Sequence, residues 1–117
     1  MSDEVLNPVA IEQQIGAVVE EIARGVRIVT NAEYKAADLR RAYDMAFALA
    51  YGAAEGSIQD RKYAAELATI EQRHQAEHAE IAFRHAQRTA RALERKLDAL
   101  RSQGASVRAM YDVAGRS

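Results

Sequence analysis

The stretch Glu55-Gly56-Ser57-Ile58-Gln59-Asp60 divides this sequence into two arms. Glycine suits the left-handed end of a helix, and Ser57 with Asp60 opens the next one. From about Ile58 to Gln103 nothing then interrupts a helix, which gives roughly 46 residues, or about 69 Å at 1.5 Å per residue. Gly104 is read as its end. A short tail over 105–117 carries Val107, Met110 and Tyr111, which can add a helical turn or pack on a partner.

On the other side of Gly56, Asn7-Pro8 is a helix start, with asparagine at the cap and proline at the first helical position. Ile11, Ile15, Val18, Ile22 and Val29 recur at steps of three, four or seven, the spacing of an amphipathic helix, and Val19 and Val26 widen the stripe. Gly25 and the β-branched run from Val26 to Thr30 are the least helical part of this arm. Thr30-Asn31-Ala32-Glu33 reads as a capping box, so a first helix over about 8–29 and a second over about 31–55 are expected. Leu39, Ala42, Ala46, Leu49 and Ala53 follow the spacing of a coiled-coil seam. Tyr43, Phe47 and Tyr51 form an aromatic stripe beside it.

The arms match in length, about 48 positions against about 46. The expected fold is therefore all-α: a long antiparallel helical hairpin, coiled-coil-like and alanine-rich, its first arm kinked near residues 25–31, in one domain over 1–117. Paired residue numbers would total about 113, which puts Leu67 near Ala46 and Leu97 near Gly16. The expected internal seam is Leu39, Ala46, Phe47, Leu49, Leu67, Ile81, Leu93 and Leu97. The rival is a compact three-helix bundle, which needs a chain reversal near residues 25–31.

Composition narrows the classes. Of 117 residues, 49% are apolar and 28% charged, which fits neither a disordered chain nor a membrane-spanning one. Twenty-five residues are alanine and none is tryptophan, so a thick core is hard to fill while slender paired helices are easy. There is no cysteine, hence no disulfide framework, in keeping with a reducing cytoplasm. No secretion signal is visible, and no apolar run approaches the roughly 20 residues of a membrane span. A soluble cytoplasmic protein is expected. The net charge of −1 conceals an asymmetry: residues 1–34 sum to −4, residues 35–81 to −2 and residues 82–117 to +5. The ends attract each other or attract different partners.

Candidate chemistry is sparse. Glu71-Gln72-Arg73-His74 has the Glu-x-x-His step of di-iron bundles, and His78 and His85 follow. A di-metal site needs a second copy of that step and further glutamates, and no second copy exists. Glu71, His74 and His78 are thus weak metal candidates, and no cofactor is expected. The bland alternative places the three histidines along a polar stretch of the seam, where protonation near neutral pH would weaken packing. Arg84, Arg88, Arg91 and Arg95 form a basic ridge that either contacts nucleic-acid phosphates or pairs internally with Glu12, Glu20 and Glu21. There is no nucleophile elbow, P-loop or dinucleotide fingerprint, so no enzymatic activity is expected.

Two stretches carry a resemblance. They are Tyr43-Asp44-Met45-Ala46-Phe47-Ala48-Leu49-Ala50-Tyr51 leading to Gly56-Ser57, and Ala92-Leu93-Glu94-Arg95-Lys96-Leu97-Asp98-Ala99-Leu100-Arg101 with Ser106-Val107-Arg108-Ala109-Met110 and Ala114-Gly115-Arg116. Together they resemble small helical accessory proteins encoded by phages and prophages of actinobacteria and other Gram-positive hosts. The resemblance implies a phage protein acting in the host cytoplasm and supplies no catalytic residues.

The sequence thus leads to an interaction protein that self-associates, as a dimer first, and binds a host or phage protein through helix faces. Val18, Ile22, Tyr43, Phe47 and Tyr51 are the expected partner or oligomer surface. The alternatives are a nucleic-acid-binding accessory factor of phage recombination or replication using the arginine ridge, and a virion scaffold or assembly component.

Overall fold

A computed structural model of the chain describes residues 7–115. These fold as α1 (Pro8–Ala53), α2 (Ile58–Ala68) and α3 (Ile70–Gly115), with no strand among the described residues. The protein is all-α, as its alanine content and its one proline imply.

Each start has a chemical cause. The Asn7 side chain accepts from the Ala10 N–H at 2.8 Å, satisfying one of the donors a helix start leaves free. At α2 the capping box is reciprocal. Ser57 Oγ accepts from the Asp60 N–H at 3.1 Å, and Asp60 Oδ2 accepts from the Ser57 N–H at 3.1 Å. Gly56 precedes it at φ +105°, a left-handed conformation that side-chain-bearing residues rarely adopt.

Three expected boundaries are corrected. Thr30-Asn31 begins no new helix, because α1 runs unbroken from Pro8 to Ala53. The β-branched run costs only a few tenths of a kcal/mol per residue, which packing of Ile22 and Val29 outweighs. The arm after Ser57 is interrupted at Thr69, between α2 and α3. There the Thr69 N–H donates to the Glu66 carbonyl at 3.4 Å, while its hydroxyl donates to the Ala65 carbonyl at 2.7 Å. The hydroxyl occupies the acceptor that the regular backbone bond would use, a known habit of threonine in helices. Finally, Gly104 does not end α3. It is buried mid-helix, where an added Cβ would stand 3.3 Å from Ile11 Cγ2. The expected tail is helical to Gly115, and residues 116–117 lie outside the described residues.

The described residues divide into two compact units, 7–27 with 88–115 and 28–87. In the first, Ile11 and Val18 are buried and Ile15, Ile22 and Gly25 half-buried; from α3, Leu100, Gly104 and Val107 are buried and Ala90, Leu93 and Leu97 half-buried. These positions alternate by three and four, the coiled-coil repeat. The meeting of Ile11 with Gly104 lies within about two residues of the register expected from the arm lengths. Arg108 Nη1 donates to Glu12 Oε1 at 3.3 Å on the flank.

The second unit is an antiparallel hairpin closed by the turn at residues 54–57. Its seam has the same alternation and smaller side chains: Val29, Ala32, Ala36, Leu39, Tyr43, Ala46 and Ala50 from α1, with Ala65, Thr69, Gln72, Ala76, Ala79, Phe83 and Ala86 opposite. The expected seam is therefore right at Leu39, Ala46, Leu93 and Leu97 and wrong at Leu49, Leu67 and Ile81, which are exposed. The stripe passes through Tyr43 and Ala50 rather than Ala42, Leu49 and Ala53. Steps of four and three in the opposite order after Leu39 take Ala42, Leu49 and Ala53 off the seam and leave Ala46 on it.

Candidate helix-face interaction sites

The expected partner surface separates into two environments. Val18 is one of the two largest fully buried side chains and is unavailable to a partner. Ile22 is half-buried on the same seam, so both belong to the core of the first unit. Helical spacing could not tell them from Val19 and Val26, which are exposed. Tyr43, Phe47 and Tyr51 are half-buried and lie against one another along α1. Tyr43 and Phe47 meet edge-on with centroids 6.2 Å apart, and Phe47 and Tyr51 stack at 6.5 Å. Arg40 lies 5.7 Å from the centre of the Tyr43 ring, within cation–π range.

Because alanine fills so much of the second seam, a groove remains on each side of it. One, of about 450 Å³, is lined by Ala32, Lys35, Leu39, Gln75, His78, Ala79 and Ala82. The other, of about 540 Å³, is lined by Ala36, Arg40, Ala76, Glu77, Glu80, Ile81 and Arg84. The two sides differ in charge. Beside the second groove Arg84 Nε donates to Glu80 Oε2 at 3.2 Å, and Arg40 pairs with Asp44 at 3.6 Å. The first groove carries one lysine and one histidine.

His74, His78 and His85 are all exposed, which corrects their placement in the seam. Glu71 accepts a hydrogen bond from the Gln75 side chain at 3.2 Å. Among the described residues no group of three or more His, Cys, Asp or Glu is placed to hold a metal ion. Arg84, Arg88, Arg91 and Arg95 are exposed along α3. Only Arg84 among these four has an ion pair among the described residues, and its partner is Glu80 of the same helix rather than Glu12, Glu20 or Glu21. The carboxylate that crosses between helices, Glu12, goes to Arg108.

Sequence reasoning missed a second exposed stripe. Ile28, Asn31, Lys35, Asp38, Ala42, Met45 and Leu49 alternate by three and four, and all seven are exposed. The signal was present in the spacing. One polar member, Asn31, and the charged pair Lys35 and Asp38 masked it from a search for apolar periodicity.

No described helix is long and apolar enough to cross a membrane. The chain matches no protein-family model, no curated protein and no solved structure.

Proposed function

We propose that this chain is a non-enzymatic association module, which binds a second copy of itself and, so assembled, another protein through helix faces. The supporting observation is an imbalance of apolar burial. Among the described residues eight apolar ones are buried, four of them alanine, while fifteen large apolar ones are exposed. Isolated exposed apolar residues are ordinary, but so many on so small a core leave surface that association would cover. Two helices paired along one seam each bury a single stripe, and joining two such hairpins into a four-helix arrangement doubles the covered faces. The resemblance to phage-encoded helical proteins supports a reading in which this module acts in the cytoplasm of a bacterial host. Sedimentation equilibrium over a range of concentrations tests the proposal. A mass of twice the chain's 12.9 kDa supports it, and a monomer at every concentration refutes it.

A second reading has its own observation. Arg88, Arg91 and Arg95 are exposed and have no ion pair among the described residues, as a phosphate-binding ridge requires. Affinity for DNA that falls steeply with salt, and disappears when all three become glutamine, supports this reading. Equal weak binding by the triple variant ends it.

A further inference from the structure

We infer that the second copy docks on one particular face of residues 28–87: the side carrying Ile28, Lys35, Ala42 and Leu49 of α1 with Ala68, Gln75 and Ala82 opposite. The inference rests on the self-association reading and specifies its surface.

Three observations select that side. The first is charge. On the chosen side the ionised residues of the stripes flanking the seam are Lys35, Asp38 and Glu71; on the other they are Glu33, Arg40, Asp44, Glu66, Arg73, Glu77, Glu80 and Arg84. Burying the second set would strand several charges, whereas the first set leaves few to satisfy.

The second is that this face is complementary to itself. A two-fold interface needs the matching halves on one patch. Let two copies of α1 lie antiparallel, related by a two-fold axis that crosses the helices between Ala36 and Ala37. Ile28 then opposes Met45 of the second copy, Asn31 opposes Ala42, and Lys35 opposes Asp38. Ile28 is 59% and Met45 68% exposed, so each apolar side chain gains cover from the other. Lys35 has no ion pair among the described residues and would gain one, beside the Asp38–Arg41 pair already present. The groove on this side sets Ala32, Lys35 and Leu39 beside Gln75, His78 and Ala82, so the same axis passes α3 at about His78 and Gln75 faces Ala82 of the second copy. The groove lined by Ala32, Lys35, Leu39, Gln75, His78, Ala79 and Ala82 lies across that axis, where small side chains permit close approach.

The third is area. Residues 28–53 of α1 span about 39 Å at 1.5 Å per residue, and a helix pair is roughly 20 Å wide, which offers about 780 Å². A stable interface takes about 800 Å² from each partner.

The chain has no cysteine, so introduced ones report without interference. Oxidation of the Ile28→Cys/Met45→Cys variant should give a covalent dimer on a non-reducing gel. The two positions are about 25 Å apart along one helix and cannot join within a chain. Glu33→Cys/Asp44→Cys, on the charged side, should stay monomeric on the same gel. In sedimentation, Lys35→Glu should weaken the dimer about tenfold or more by facing Asp38 with like charge, and Lys35→Glu/Asp38→Lys should restore it. A wild-type dimer that cross-links through the control pair, or ignores Lys35→Glu, overturns the face and leaves self-association standing. A monomeric wild type removes both.

Discussion

Val18 and Val19 are neighbours in sequence and opposites in environment, so truncating each to alanine tests the helical register directly. Val18 is 2% exposed in the seam, and Val19 is 44% exposed beside it. Val18→Ala loses two buried carbons, about 1.6 kcal/mol of transfer free energy. The seam closes only partly around the gap, which adds roughly 1 kcal/mol. Alanine returns about 0.5 kcal/mol as the better helix former. The net loss is about 2 kcal/mol. Val19→Ala forfeits roughly half the transfer term, about 0.8 kcal/mol, leaves no cavity, and gains the same helix propensity, for a net loss near 0.3 kcal/mol. Urea unfolding followed by circular dichroism at fixed protein concentration should show the Val18 variant melting at clearly lower urea with an unchanged slope, and the Val19 variant close to wild type. Costs within about 0.5 kcal/mol of each other, or a larger loss for Val19→Ala, would refute the register derived for residues 8–27.

Gly56→Ala should cost about 1–2 kcal/mol in the same unfolding assay, because φ is +105° and the new Cβ would lie 2.8 Å from Asp60 Oδ2, loosening the cap of α2. Gln72→Leu should raise stability by about 1 kcal/mol, read as a higher urea midpoint: the side-chain carbonyl oxygen is buried without a hydrogen-bond partner among the described residues, and an apolar replacement removes that burden. Arg108→Gln should cost no more than about 1 kcal/mol, and less as salt is raised, because both partners of its pair with Glu12 are more than half exposed.

The hairpin was legible because its signals are local. Gly56, Ser57 and Asp60 announce the turn with backbone and capping chemistry that needs no distant contact, and the absence of proline after Pro8 leaves two long helices as the remaining option. The break at Thr69 was not legible, since threonine is also common inside unbroken helices and only the seam position makes its hydroxyl bond to Ala65 consequential. Gly104 misled for the opposite reason. Glycine signals a helix end when nothing lies opposite, and here Ile11 does. The partner surface was only partly readable. Val18 and Ile22 are apolar at helical spacing, as any core residue would be. By contrast Lys35 and Asp38, polar members of an exposed stripe at three-and-four spacing, stand out as part of the proposed docking face only after the seam has been fixed.

The two seams also divide the energetics. Residues 8–27 and 88–115 are joined by isoleucine, valine and leucine, each worth about 1.5–3 kcal/mol when fully buried. In residues 28–87 alanine dominates the seam, and an alanine methyl contributes a fraction of that. Alanine has a compensating virtue, because it fixes helix without side-chain entropy and lets two axes close up, so the second unit can hold its shape on little apolar area. Little buried apolar area leaves less to oppose local opening, and such units are where binding has most to add. A partner laid on the Ile28–Leu49 stripe supplies apolar contact where the intramolecular seam supplies least. If association works this way, hydrogen exchange in residues 28–87 should slow with rising protein concentration while exchange in residues 8–27 stays constant. Uniform slowing of both segments would mean that the alanine-rich seam is not the part that gains from assembly.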